Sequence, residues 1–168
     1  MHFVAVLGKC KVWLNGNLIA EHKGGYLPFS VPISDQIVKG ADNVIAVWAD
    51  NSDDTSYPPG KDQSVLDFAY FGGIYRDVWL QATNRIYITN ANAVDEVAGG
   101  GLFIHYEDFS RKRVKILTEV SIANELSSHA QVVIRADLKS QEGKLVATTT
   151  QEQTVKGQSN LATTLKMQ

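Results

Sequence analysis

Leu66-Asp67-Phe68-Ala69-Tyr70-Phe71-Gly72-Gly73-Ile74-Tyr75-Arg76-Asp77-Val78-Trp79-Leu80 is the stretch from which the fold is read. It opens with an acid, Asp67, set among apolar and aromatic residues. Gly72-Gly73 bends the chain, and the segment beyond, rich in Ile, Tyr, Val and Trp, has the composition of a strand. An acid before a glycine bend at the mouth of a strand can be aimed at a ligand from a rigid base. It can equally do no more than accept backbone amides in a turn. Arg76 shares its parity with Ile74, Val78 and Leu80. A guanidinium on an apolar face needs a paired acid, or a bulge that turns it outward, so a structural ion pair is expected for Arg76. Asp77 reads as a surface or pairing residue.

Strand patterns continue on both sides of this stretch. Phe3 to Leu7 is a short apolar run. Lys11–Leu14 and Leu18–Ala20 flank Asn15-Gly16, the pair favoured in two-residue hairpins because both positions take positive φ. Residues 22–29, with Gly24-Gly25-Tyr26 and Pro28, read as a loop. Ser30–Ile33 is extended, and Ser34-Asp35 can cap one helical turn over Gln36–Val38. Val44–Ala49 reads as a strand buried on both faces. Asp50–Val65 is a long polar loop, of the length that usually carries function or mobility. Trp13, Trp48 and Trp79 lie inside strand patterns, which favours core packing over stacking on sugar rings.

Beyond Arg85 the pattern changes. Ile86–Thr89 is extended, Gly99-Gly100-Gly101 is a turn, and residues 109–113 form a charged loop. Val114, Ile116, Thr118, Val120 and Ile122 then share one face, opposite Lys115, Glu119 and Ser121. Val132, Ile134, Ala136 and Leu138 share another, opposite Val133, Arg135, Asp137 and Lys139. Glu142-Gly143 turns the chain into Lys144–Thr149. Period-two patterning broken by regular turns indicates an antiparallel sandwich, and no helix longer than two turns is expected.

The 66–80 stretch resembles the end of the sugar-binding jelly-roll domain of family 2 glycoside hydrolases, the β-galactosidases, β-glucuronidases and β-mannosidases. Three upstream blocks match the same domain in order. They are Val12-Trp13-Leu14-Asn15-Gly16, Glu21-His22-Lys23-Gly24-Gly25-Tyr26-Leu27-Pro28-Phe29, and Asn43 to Asn51. Tyr57-Pro58-Pro59-Gly60-Lys61 is most similar to the β-galactosidase-type members, while the His22–Phe29 block suits the β-glucuronidases equally. The resemblance implies an all-β chain of two sandwiches. Residues 1–84 would be the C-terminal part of a galactose-binding-like jelly roll, and residues 85–168 an immunoglobulin-like domain. It also implies that the chain is cut short at both ends and lacks the (β/α) barrel. That barrel carries the two carboxylates of the retaining mechanism, about 5–5.5 Å apart, so no residue here takes a catalytic role.

For Asp67 the resemblance implies a contact to sugar hydroxyls in the full enzyme, with a sodium ion beside it in some members. Carboxylate oxygens are strong acceptors and suit hard cations. A sodium or magnesium ion is therefore a cofactor expectation for the full-length enzyme only. Asn15, Gly16, Gly24, Gly25, Tyr26, Gly72, Gly73 and Arg76 are implied as structural members of the motif blocks. Gly24-Gly25-Tyr26 is expected to pack on a neighbouring domain. The expected partners are a β-galactoside, bound through the whole enzyme, and the missing barrel. A jelly roll without its first strands also leaves unpaired edges, so self-association through edges near Phe3–Leu7 is an expectation.

Composition closes off other classes. The chain has 168 residues, room for one large or two small domains, and a net charge of −2, with no basic footprint for nucleic acid. No apolar run approaches the ~20 residues of a membrane span, and Met1-His2-Phe3-Val4 reads as a strand rather than a signal peptide. The single cysteine, Cys10, excludes an internal disulfide and is expected to pack as a small apolar side chain. His2, His22, His105 and His129 lack metal-ligand spacing. Neither a Gly-x-Ser-x-Gly elbow nor a phosphate loop is present. Three readings remain: an accessory region of a family 2 glycosidase, an autonomous carbohydrate-binding module, and a purely structural sandwich. The order and density of the blocks favour the first. The low cysteine count suits a bacterial cytoplasm and periplasm equally.

Overall fold

The computed structural model describes residues 1–94 and 96–167. The chain is all-β, with only a 3-10 turn at Gln63–Val65 and a single helical turn, α1 (Ala91–Val94), among the described residues. Nothing among them is helical, long and apolar enough to cross a membrane. It divides into two compact units, the first Met1–Gln81 and the second beginning at Ala82.

The first unit holds β1 (His2–Phe3), β2 (Val6–Leu14), β3 (Asn17–Gly24), β4 (Phe29–Ser30), β5 (Ile45–Asp50), β6 (Gly73–Ile74) and β7 (Val78–Trp79). β2 is the central strand of a sheet ordered β3-β2-β5, and β6 also pairs with it; β1 lies between β4 and β7. Every pairing is antiparallel. Phe3, Val6, Cys10, Val12 and Val31 make the core, with Ile19, Ala20, Phe29, Val47 and Ala49 packed on it. Alternation along β2 places Cys10, Val12 and Leu14 inward, with Lys9, Lys11 and Trp13 on the opposite, less buried parity. Cys10 is buried and free, as expected.

The Asn15-Gly16 hairpin has the expected geometry, with φ of 52° and 84° at the two positions. Asn15 also reaches outside its own turn. Its Oδ1 accepts Val44 N–H at 2.9 Å and its Nδ2 donates to Asn43 Oδ1 at 2.9 Å. The hairpin therefore sets where β5 begins.

Five expectations for this unit need correction. Phe3 to Leu7 is not an exposed edge: Phe3, Val6 and Leu7 are buried, and β1 and β2 are paired on both sides. The run from Phe3 to Leu7 is divided between β1 and β2, and β2 continues unbroken through Gly8, which has no Cβ to collide with the Asp50 carbonyl, 2.1 Å from where one would stand. Residues 22–24 belong to β3 rather than to a loop, held by the Cys10–His22 and Gly8–Gly24 register. The 44–49 segment is buried on one face only. Val47 and Ala49 meet the core, while Trp48 between them is 43% exposed on the open face. The tryptophans do sit in strands, but Trp13 and Trp48 are out of phase with their core-facing neighbours and Trp79 is 58% exposed.

The second unit holds β8 (Ile86–Ile88), α1, β9 (Leu102–Glu107), β10 (Lys115–Asn124), β11 (Ala130–Lys139), β12 (Leu145–Val155) and β13 (Ser159–Met167). β10 is central, pairing with β13, β8 and β9, while β11 and β12 form a two-stranded sheet. Val120, Ile122 and Leu165 of the first sheet meet Ile134 and Val155 of the second, with Val132 and Ala136 beside them. The β11 alternation thus has the expected inward face, except that Leu138 is exposed. On β10 the polar parity is not solvent-facing throughout. Leu117 and Ser121 are buried, and Ser121 N–H donates to the Gly101 carbonyl at 2.9 Å. β9 and β13 were not apparent as strands from sequence.

Buried Asn124 ties the β10 end to its neighbours. Its Nδ2 donates to the carbonyls of Ser128 (2.9 Å), Val155 (3.1 Å) and Lys156 (3.1 Å), and its Oδ1 accepts Leu126 N–H at 3.0 Å. All its donor capacity is used inside a core.

Candidate functional site

The 66–80 stretch is built onto β1 and β2. Leu7 pairs with Gly73 and Val6 with Ile74, and Gly73 takes φ 83°, a conformation that suits glycine. The chain then returns to β1: Val4 N–H donates to the Asp77 carbonyl at 3.0 Å, and Val78 and Trp79 pair with Phe3 and His2. Asp77 itself is exposed, as expected of a surface residue.

Asp67 projects from the irregular segment before this anchor. It is exposed, and among the described residues its carboxylate accepts no hydrogen bond and joins no ion pair. Turn capping in this region is done by Asp62 instead, whose Oδ1 accepts Ser64 N–H at 2.8 Å. Phe68 and Phe71 on either side are also exposed.

Two features hold the base of the segment. Gln63 Nε2 donates to the Asn51 carbonyl at 2.6 Å, and Gln63 N–H donates to Asp53 Oδ1 at 3.2 Å. Gly72 lies directly on the Asn51 side chain, where a Cβ would come within 2.3 Å of it. Below, the 50–65 loop turns through a cis Pro58–Pro59 bond, with Gly60 N–H on the Tyr57 carbonyl at 2.8 Å. Lys9 Nζ meets Asp54 at 3.0 Å. The Ser56 hydroxyl and amide, and then Lys9, hold the Asp54 carboxyl well below the usual carboxylate range. Burial, and then the Tyr57 hydroxyl and the Asp53 and Asp54 carboxylates, push the Tyr70 phenol up to about 12. The Tyr57 hydroxyl, although close enough to affect Tyr70, is buried with no partner at hydrogen-bond geometry among the described residues.

Gly25-Tyr26 opens the neighbouring loop directly after Gly24, the last residue of β3. Gly24 has φ 148°, and Gly25 is buried so tightly that a Cβ would lie 2.2 Å from Leu7 Cδ1. Tyr26 and Leu27 stand out from the surface. The Tyr75 hydroxyl donates to the Gly25 carbonyl, joining this loop to the 66–80 stretch. His22 stacks on Phe29 with ring centroids 4.3 Å apart, and Phe29 stacks on Phe3 at 4.7 Å.

Arg76 departs from expectation. It makes no ion pair among the described residues, and its guanidinium lies 5.9 Å from the Tyr75 ring centroid. It is exposed, because the chain between β6 and β7 leaves the ladder there, so no buried charge demands a partner.

No group of three or more His, Cys, Asp or Glu side chains among the described residues could hold a metal ion. In the second unit, an open polar depression is lined by Tyr87, Asn124, Glu125, Gln158, Ser159 and Asn160. There the Tyr87 hydroxyl donates to Glu125 Oε1 at 2.8 Å, and Arg85 donates to the Glu125 carbonyl at 2.8 Å. Asp67 is exposed and unengaged between the points braced at Gln63 and Gly72.

The family model for the glycosyl hydrolases family 2 sugar-binding domain matches residues 1–84. A β-galactosidase of Thermoanaerobacter pseudethanolicus is 37% identical over 126 residues, 71% of this chain and 17% of that protein. The chain belongs to glycoside hydrolase family 2.

Within family 2 the similarity is divided. A β-glucuronidase of Bacteroides fragilis is 32% identical over 124 residues, 74% of this chain and 17% of that protein. The structure of Bacteroides uniformis β-glucuronidase 2, covalently bound to cyclophellitol-6-carboxylate aziridine, superposes with a TM-score of 0.84 at 25% identity. It covers 99% of this chain and 19% of that one. The chain thus spans under a fifth of the length of these family 2 relatives.

Asp67, Gly72, Gly73, Gly24, Gly25 and Tyr26 fall in one unit, and Tyr75 links their two blocks. Asn15 and Gly16 serve the hairpin and the start of β5. Asn51, Gln63 and Tyr75 were not singled out from sequence. Tyr75 and Asn51 both lay within recognised blocks, but Asn51 and Gln63 act through a backbone carbonyl and a close contact that no local pattern encodes.

Proposed function

We propose that this chain is the non-catalytic accessory region of a retaining β-galactosidase of family 2, and that Asp67 contacts the terminal galactoside in the full-length enzyme. The observation that carries the reading is the Asp67 carboxylate, exposed and unengaged on a segment braced at its base. An acid kept free of turn capping is available to accept sugar hydroxyls, and such charge-assisted bonds are short and strong. The Tyr57–Lys61 turn and the 37% identity to a β-galactosidase favour galactosides; the similarity to β-glucuronidases makes glucuronides the alternative. In this reading the second unit is the immunoglobulin-like support of a barrel that supplies both catalytic carboxylates. The exposed Tyr26 and Leu27 face a neighbouring domain. Any sodium or magnesium ion beside Asp67 would take its other ligands from elsewhere in the enzyme.

The test is hydrolysis of 4-nitrophenyl β-galactoside and β-glucuronide by the full-length hydrolase and its Asp67→Asn variant. Galactoside turnover should dominate, and Asp67→Asn should lower kcat/KM by about ten- to a hundredfold, the loss of one charge-assisted hydrogen bond. Preference for the glucuronide would transfer the chain to the alternative. Wild-type kinetics in Asp67→Asn would remove the substrate role.

A further inference from the structure

Both ends of the Asp67 segment come to rest on a single residue. Asn51 follows immediately after β5 and is pressed against β2, since a Cβ on Gly8 would lie 2.9 Å from Asn51 Cα. At the start of the segment, Gln63 Nε2 donates to the Asn51 carbonyl at 2.6 Å. At its end, Gly72 lies on the Asn51 side chain, with Cγ, Nδ2 and Oδ1 at 2.3, 2.5 and 2.6 Å from where a Cβ would stand. Between these anchors, no backbone hydrogen bond among the described residues holds Asp67 to Phe71. The position of the Asp67 carboxylate therefore depends on these two anchors, with half-buried Tyr70 beside Tyr57 between them, rather than on a ladder of its own.

We infer that Asn51 is the positioning residue for Asp67, clamping both ends of its segment to the central sheet. The inference rests on the reading of Asp67 as a substrate contact. It adds that Gly72 is required as a seat for Asn51 rather than for its backbone freedom, because Gly72 lies outside the positive-φ region. A bulkier residue at 72 must displace either Asn51 or the segment. A displacement of about 1 Å at a substrate contact costs up to about a hundredfold in rate.

The test is a size swap in the full-length hydrolase. Gly72→Ala should lower kcat/KM by about tenfold or more, and combining it with Asp67→Asn should add little, since both remove the same contact. Gly72→Ala with Asn51→Ala should recover most of the activity, because an alanine side chain at position 51 lacks all three atoms that a Cβ at 72 would meet. If Gly72→Ala does not fold, Gln63→Met removes the other anchor, and its loss should likewise be non-additive with Asp67→Asn. Wild-type kinetics in Gly72→Ala alongside an impaired Asp67→Asn would overturn the inference and leave the reading of Asp67 standing. So would independent, multiplying losses, or a double variant no better than Gly72→Ala. Wild-type kinetics in Asp67→Asn itself would remove the reading and the inference together.

Discussion

The hydroxyl of Tyr75 donates to the carbonyl of Gly25, fifty residues earlier in the chain. It joins the loop bearing Tyr26 to the stretch bearing Asp67, and Gly25 is pressed against Leu7 of the strand on which both are built. Removing the donor strands a partly buried carbonyl. Tyr75→Phe should therefore destabilise the first unit by about 1–3 kcal/mol, the usual cost of an unsatisfied group. Urea unfolding followed by tryptophan fluorescence measures this directly, because Trp13, Trp48 and Trp79 all lie in that unit. An unchanged midpoint would mean that the bond contributes nothing.

His22 gives the first unit a pH dependence. Burial lowers its pKa from the ordinary 6.5, and its Nε2 is buried with no partner among the described residues. Its neighbour across the strand pair, Cys10, has its thiol pushed up by burial and stays neutral. With the folded pKa below the unfolded one, the unfolded chain binds the proton more readily. Stability should be full above the unfolded value of 6.5 and fall as pH drops below it. In His22→Phe, which keeps the stack on Phe29, that slope between about pH 7 and 5 should flatten. Parallel slopes in the two proteins would assign the effect to other groups.

Asn124 is the polar keystone of the second unit. Its amide serves three carbonyls and its oxygen one N–H, all near the ends of β10 and β12. Asn124→Ala should cost at least about 1–3 kcal/mol through the stranded carbonyls. Asn124→Asp should also cost stability, since a carboxylate cannot donate to them. Thermal unfolding followed by far-ultraviolet circular dichroism checks both; an aspartate variant as stable as wild type would contradict the assigned hydrogen bonds.

The 168-residue chain by itself should not hydrolyse a chromogenic β-galactoside. Retaining hydrolysis needs two carboxylates about 5–5.5 Å apart, and in the proposed function both belong to the barrel. Release of nitrophenol above a matched blank by the purified chain would contradict it.

Local chemistry made part of this protein legible. The Asn15-Gly16 hairpin could be read because both positions need positive φ, a property of the residues themselves. The inward face formed by Val132, Ile134 and Ala136 could be read because strand alternation is intrinsic to the backbone. The ordered blocks across residues 12–80 carried the family. What depends on which surfaces meet was not legible. Trp48 and Trp79 have the residue type of a core, yet whether a sheet face is covered is decided by other elements. Arg76 looked as if it needed an ion pair only until the chain was seen to leave the ladder there. Gly8 is a point of close approach for the Asp50 carbonyl, which no local pattern announces. Asp67 could be singled out by its setting, but its freedom from turn capping, and the bracing of its segment on Asn51, exist only once β5 lies beside β2. Both anchors are non-local contacts, a side-chain amide on a distant carbonyl and a glycine on a distant side chain. Nothing in the periodicity of a sequence records them, because they arise when the sheet brings residues 8, 51, 63 and 72 together.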